Sequence, residues 1–186
     1  MTSSENNKPV GVAILGLGTV GSQVLRLLGE HETDFTARIG GEVQVRGVAV
    51  SDASKPREGV DPSLIIDKPE ELIDREDVDI VVEVIGGIDY PRELVLRALR
   101  AGKSVVTANK ALVAAHAAEL SAAADEAGVD LFYEAAVAAA VPVVGMLRRS
   151  LAGDKIVRIS GIVNGTTNFV LDAMDSTGAS YELSLI

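Results

Sequence analysis

The chain has 186 residues, 47% of them hydrophobic and 24% charged, with 17 basic against 27 acidic side chains. That length allows one full domain, or one plus part of a second, and the apolar fraction is ample for a packed core. The net charge of −10 argues against a phosphate-tracking nucleic-acid binder, 3% aromatic residues argue against a base-stacking surface, and the absence of cysteine removes disulfides, thiolate metal sites and thiol nucleophiles.

Residues 1–9 are polar and read as a flexible tail, with no apolar run that would serve as a signal peptide. Val10–Leu15 is a buried strand ending in glycines, and Thr19–Gly29 places Val20, Val24, Leu27 and Leu28 on one helical face. Val43–Val50 is a second strand, followed by Asp52–Asp67, a surface loop rich in Pro, Gly and charge. Glu70–Arg75 reads as a short helix and Asp79–Ile85 as a third strand, stopped by Gly86-Gly87. Arg92–Arg100 is helical, Lys103–Thr107 is a fourth strand, and Ala111–Ala127 is an alanine-rich helix closed by Gly128. Val129–Tyr133 is a fifth strand. Strands separated by helices of about 10–17 residues require right-handed crossovers, and so an α/β fold with a doubly wound, mostly parallel sheet of Rossmann type.

From Val141 the pattern changes. Val141–Leu151 reads as a helix, Ile156–Val163 as a strand and Thr166–Met174 as another helix, with Asn164-Gly165-Thr166 forming a tight turn and then a helix N-cap. Tyr181–Ile186 looks like the start of a further element. The expected organisation is therefore a dinucleotide-binding domain at 10–140 and the beginning of a second α+β domain at 141–186. Ala135–Leu147, the longest apolar stretch, is broken by Pro142 and Gly145 and falls short of the roughly 20 residues of a membrane span. The class expected is a soluble cytoplasmic protein.

Gly16-Leu17-Gly18-Thr19-Val20-Gly21 fits G-x-G-x-x-G in the context its mechanism requires, between a strand and an amphipathic helix. Gly16 permits the tight turn, Gly18 lets a pyrophosphate approach the backbone, and Gly21 lets the helix pack closely on the sheet, while the helix start supplies amide donors. An acidic residue after the second strand commonly takes the adenosine ribose. Asp52 is the candidate here and would favour NAD, whereas Ser51 with Lys55 and Arg57 would accept the 2′-phosphate of NADP; an exposed charged loop accounts for Lys55 and Arg57 equally well. Gly86-Gly87 lies at the same carboxyl edge, where a nicotinamide can rest against bare backbone. Lys110 follows the fourth strand and suits either a ligand carboxylate or proton donation. Glu134 enters an apolar run, as a helix cap, an ion-pair partner or a cation ligand. His31 and His116 read as surface residues, without the partners of a zinc site.

GLGTVG at Gly16–Gly21, VVEVIGG at Val81–Gly87, VTANKALV at Val106–Val113, YEAAVAAAVPVV at Tyr133–Val144 and GIVNGTTNFVL at Gly161–Leu171 together resemble homoserine dehydrogenase, in order and spacing along nearly the whole chain. The resemblance implies reversible hydride transfer between L-homoserine and L-aspartate 4-semialdehyde with NAD or NADP, on the route to threonine, methionine and isoleucine. It implies a catalytic Lys110 beside nicotinamide and substrate. It also implies cofactor contacts from Gly16–Gly21, Ser51, Gly86 and Lys110, and a substrate-domain turn at Asn164, Gly165 and Thr166. Glu134 with the backbone of Val137, Ala139 and Val141 corresponds to a monovalent cation site, normally sodium, although this run reads Ala138-Ala139-Ala140 where the family usually has glycines. The family's later acidic substrate pair and second lysine have no counterpart, so the chain is expected to be a weakly active or inactive amino-terminal portion of a homo-oligomeric enzyme. A different Rossmann-type oxidoreductase and a non-catalytic NAD(P)-binding module are the alternatives.

Overall fold

The computed structural model describes residues 8–138, 141–162 and 164–183. The chain divides into two compact units, Met1–Ala136 and Val137–Ile186. The first unit is built on a six-stranded sheet in the order β3-β2-β1-β4-β5-β6, with every pairing parallel. Its strands are β1 (Val10–Leu15), β2 (Val43–Ala49), β3 (Ile65–Ile66), β4 (Ile80–Glu83), β5 (Ser104–Thr107) and β6 (Leu131–Phe132). Between them run α1 (Thr19–Glu30), α2 (Glu32–Ile39), α3 (Pro69–Ile73), α4 (Asp89–Arg100) and α5 (Lys110–Ala127). This is the doubly wound sheet that the strand–helix alternation requires.

The two faces of the sheet carry separate cores. Ala13, Leu15, Val81, Val105 and Leu131 pack with Leu72 and Ile73 of α3, Leu94, Val95 and Leu99 of α4, and Leu112 and Leu120 of α5. On the other face Val12, Ile14 and Val48 pack against Val24, Leu25 and Leu28 of α1. The apolar stripe of α1 is thus centred one position away from the expected face. Val20 is 52% and Leu27 40% exposed, while Leu25 and the fully packed Gly21 take their places.

Three further elements differ from the sequence reading. Residues 32–39 form α2, a helix with no buried side chain, so no strong apolar period marks it in the sequence. The Asp52–Asp67 loop contains a short 3-10 turn, Pro62–Leu64, capped by the Asp61 carboxylate on the Ser63 amide, and then the edge strand β3. In the second unit, α6 (Val143–Gly145) widens into a π-helical turn over Met146–Ser150, and α7 spans Gly165–Thr177. Residues 155–162 form no strand. Their apolar side chains, including Val157 at 88% and Ile162 at 75% exposure, are laid out for one, but a strand exists only through a hydrogen-bonded neighbour, and none of the described residues pairs with them. Val163 and 184–186 lie outside the described residues, and Tyr181–Leu183 forms only a turn.

Bidentate or paired arginines hold several surface carboxylates below their ordinary range: Arg97 on Asp74, Arg75 on Asp77 and Arg92 on Glu119. Groups depressed in the folded state stabilise it above their ordinary values, 3.8 for Asp and 4.5 for Glu, and lose that contribution as the pH falls. The urea midpoint is expected to fall once the pH drops below about 4, more weakly in high salt because the three pairs are exposed or only partly buried. A midpoint unchanged between pH 5 and pH 3 would contradict this account.

Candidate functional site

The register of the parallel sheet sets the site. Ala49, Leu15, Glu83 and Thr107 form one row across β2, β1, β4 and β5, so the segments that follow these four residues emerge together at the carboxyl edge. The ladder continues one step beyond the row, with Gly16 N–H donating to Ala49 O at 2.9 Å and Val84 N–H to Leu15 O at 2.9 Å. Because α1 covers one face while α4 and α5 cover the other, the chain leaves β1 and β4 in opposite directions and a crevice opens between them, the usual ligand position in open α/β sheets.

The glycines of this turn are required for different reasons. Gly16 has φ +103°, and a Cβ there would lie 2.8 Å from Val84 O. A Cβ on Gly21 would lie 2.0 Å from Gly16 O, so glycine is what allows α1 to press against the turn. A Cβ on Gly18 would meet nothing within 4 Å: the space beside that backbone is open. Gly18 itself is the N-cap of α1, no side chain caps the helix and its first turn carries no acid, so Thr19, Val20 and Gly21 present amides to any anion placed there. These residues fit the pyrophosphate of a dinucleotide.

A cleft of about 350 Å³ adjoins this turn. Gly16, Leu17 and Gly18 form one wall, Val84 and Ile85 another, and Ser51 and Arg57 line its outer part with Asp67 and Tyr90. The loop after β2 is held by its own polar groups. Arg57 donates to Asp52 O at 3.0 Å and Lys55 O at 2.8 Å, while the Asp52 carboxylate accepts from the hydroxyl and amide of Ser54 at 2.6 and 3.1 Å. Those Ser54 contacts, aided by Lys55 and Arg57, hold the Asp52 carboxyl below its ordinary value. Asp52 is committed to its own loop, and its side chain does not line the cleft. Tyr90 donates to Glu70 at 3.0 Å, and burial together with that carboxylate raises its phenol above the usual value, which keeps it protonated.

Gly86 and Gly87 follow β4 with φ of +87° and +83°, and a Cβ on either would meet nothing within 4 Å, so conformation and not space requires glycine. Asn109 is the N-cap of α5, its Oδ1 accepting from Leu112 N–H at 3.1 Å, and Lys110 is the first residue of that helix. Lys110 is exposed at the same edge, and its ammonium makes no hydrogen bond or ion pair with the described residues.

The chain also matches known proteins in sequence and in fold. Residues 16–134 match the model for the NAD-binding domain of homoserine dehydrogenase, and residues 142–185 match the homoserine dehydrogenase model. The chain belongs to the homoserine dehydrogenase family. It is 69% identical over 176 residues to the homoserine dehydrogenase of Corynebacterium glutamicum and 54% identical over 180 residues to that of Mycobacterium tuberculosis, covering 95% and 97% of this chain. It spans about 40% of the length of these curated relatives, 40% and 41% respectively. The crystal structure of a homoserine dehydrogenase from Thiobacillus denitrificans superposes with a TM-score of 0.85 at 42% identity, over 96% of this chain and 41% of that one. A hyperthermophilic archaeal homoserine dehydrogenase in complex with NADPH superposes with a TM-score of 0.74 at 31% identity, over 95% of this chain and 59% of that one. As in its family, the first unit is an NAD(P)-binding Rossmann-type domain.

The remaining candidates lie in both units. Glu134 opens a 3-10 turn after β6 in the first unit. Val137 and Val141, both exposed, belong to the second, and Val141 O already accepts from Val143 N–H at 2.8 Å. Ala139 lies outside the described residues. No group of three His, Cys, Asp or Glu side chains placed to hold a metal occurs among the described residues. Asn164 caps α7 through Thr167 N–H at 2.9 Å, with Gly165 and Thr166 beginning the helix, all three exposed. His31 and His116 each lie near a carboxylate of their own helical surface, Asp34 at 3.5 Å and Glu119 at 3.3 Å.

Three polar residues were not singled out from the sequence. Glu83 is fully buried, its Oε1 accepting from Ile85 N–H at 2.9 Å and its Oε2 from the Thr107 hydroxyl at 2.5 Å, and no cation is paired with it among the described residues. The Thr107 hydroxyl accepts from Asn109 N–H at 3.0 Å, and Asn109 Nδ2 donates to Gly87 O at 2.8 Å. A carboxylate inside the apolar run DIVVEVI is the signal that marks them, since such a group needs partners.

The glycines separate binding from folding. Gly18→Val is expected to leave thermal unfolding within a few degrees of the parent while abolishing NADPH binding, because its side chain fills the open space. Gly21→Ala should destabilise the fold by about 2 kcal/mol or more, since a methyl meets backbone. A thermal melt and a nicotinamide-fluorescence titration read both, and a Gly18→Val protein that binds NADPH normally would remove the pyrophosphate from this turn.

Proposed function

We propose that the first unit is the dinucleotide-binding domain and the second the beginning of the substrate domain of an enzyme that interconverts L-homoserine and L-aspartate 4-semialdehyde, in the cytoplasm, on the route to threonine, methionine and isoleucine. One observation carries this reading: the glycine turn, the Gly86-Gly87 backbone and Lys110 all follow strand ends at one edge of a sheet that belongs to this family. The cofactor supplies the hydride-accepting C4 of its nicotinamide when bound. The turn at Gly16–Gly21 holds the pyrophosphate, and the walls at Val84 and Ile85 orient the dinucleotide across the edge. Lys110 takes the hydroxyl proton of homoserine as the adjacent carbon loses its hydride, and returns it in the reverse direction. A homo-oligomeric enzyme is part of this reading.

The cofactor is NADP(H) in this reading. Arg57 and Ser51 line the outer cleft, while the carboxylate that would favour an unphosphorylated ribose, Asp52, is bound to Ser54. Arg57→Ala is expected to weaken NADPH binding by about 10- to 100-fold and to leave NADH nearly unchanged, as loss of a charge-assisted contact to a 2′-phosphate requires. Equal losses for both cofactors would place Arg57 elsewhere, and Asp67, which also lines the cleft, would become the ribose partner.

The decisive assay extends the chain to the length of its relatives and compares L-homoserine with other alcohols in NADP+ reduction. Preferential oxidation of homoserine is expected, with Lys110→Ala lowering kcat by about 10²-fold or more. Cofactor binding without turnover would favour a non-catalytic nucleotide-binding module, and preference for another alcohol a different oxidoreductase.

A further inference from the structure

Gly86 and Gly87 are exposed and left-handed, with no atom placed to pack on a Cβ at either. A two-glycine loop of this kind has the widest conformational freedom a chain allows, so an ordered geometry there needs fixed anchors. Two lie on either side of Gly86: the Ile85 amide donates to Glu83 Oε1, and the Gly87 carbonyl accepts from Asn109 Nδ2. Both lead to a single atom. The Thr107 hydroxyl oxygen receives the Asn109 amide and its hydrogen goes to Glu83 Oε2.

The amides of Ile85 and Asn109 are fixed donors, so Glu83 Oε1 and the Thr107 hydroxyl oxygen are acceptors, and the Thr107 hydroxyl in turn donates to Glu83 Oε2. Each oxygen of the buried Glu83 side chain is thereby engaged by a group that leads to the glycine loop or to the start of α5. Asn109 divides its amide between two tasks, with Oδ1 capping α5 immediately before Lys110 and Nδ2 holding the glycine loop.

We propose that Glu83, Thr107 and Asn109 are positioning residues that lock the Gly86-Gly87 loop to the first turn of α5, so that the backbone facing the cofactor and Lys110 are held at one spacing before the cofactor binds. The inference rests on the reading above that the nicotinamide end of the cofactor reaches this edge. A pre-ordered loop binds more tightly because its freedom is already lost in the free protein.

Asn109→Asp tests it together with Asn109→Ser: both retain an oxygen that caps α5 and lack the Nδ2 donor to Gly87 O, and the serine separates that loss from the added charge and the acceptor that aspartate sets against the Gly87 carbonyl. Thr107→Val, nearly isosteric and uncharged, breaks the chain in the middle, and Thr107→Ser restores the hydroxyl. In the protein without cofactor, amide hydrogen exchange across 85–88 is expected to accelerate in both Asn109 variants and Thr107→Val and to stay near the parent in Thr107→Ser. The broken variants should then bind NADPH about 10-fold more weakly at a temperature well below their melting, where the protein is fully folded, with Thr107→Ser within about 2-fold of the parent. A merely structural role would lower the melting temperature and leave the affinity of the folded protein unmoved. If Thr107→Val does not fold, the Asn109 variants and Thr107→Ser decide the matter. Parent-like exchange and affinity in either Asn109 variant would overturn the proposal while leaving the nucleotide site intact, whereas failure of the parent to bind NADPH would remove the site and this inference together.

Discussion

Strands β1 and β4 pair in parallel from Val12↔Ile80 to Leu15↔Glu83, and the functional edge follows from that contact. The chain reaches β4 only after β2 and β3 have been added on the other side of β1, so the sheet grows outward in both directions from this pair. The connection after β1 must rise to one face and the connection after β4 to the other. Gly16 makes this possible, since any side chain there would collide with the Val84 carbonyl just above the last paired row. The crevice for a dinucleotide is what remains between two segments that part at a point where they cannot be moved closer.

The two cores reinforce this arrangement unequally. On the face of α3, α4 and α5, fully buried leucines interlock from Leu72 to Leu120 and hold β4 and β5 at fixed height. That rigidity is transmitted to the row Glu83–Thr107, whose polar side chains are buried just where the apolar strands stop. On the opposite face α1 contributes fewer side chains, and its role is set by its first turn, where Gly21 presses on Gly16 and leaves the amides uncapped.

Much of this was legible in the sequence because it depends on local pattern. The strands of the sheet other than β3 stand out as short β-branched runs, and the glycine turn is read from its place between a strand and an amphipathic helix. What escaped depends on partners. The two-residue β3 exists only because β2 offers an edge, and α2 has no buried face to impose a period. Residues 155–162 have strand chemistry without a neighbour and stay irregular. The face of α1 was displaced by one position because Gly21, counted as a turn residue, is the contact about which Val24, Leu25 and Leu28 are arranged. In the site, spacing alone leaves Asp52, Lys55 and Arg57 undecided; that the Asp52 carboxylate is bonded to Ser54 and that Arg57 lines the cleft follow from the folded loop and not from the spacing. Glu83 lay in plain view within VVEVIGG, but its meaning depends on Thr107 lying beside it in the next strand, which only the register supplies.

The central claim is that the turns after β1 and β4 form one dinucleotide cleft. Amide chemical-shift mapping of the isotopically labelled chain during an NADPH titration tests it most directly. Saturable shifts concentrated at Gly16, Gly18, Thr19, Ile85, Gly86 and Gly87, with the amino end of the sheet around Asp77 and Lys103 undisturbed, are the result this account predicts. Shifts that saturate elsewhere while the glycine turn remains silent would contradict it.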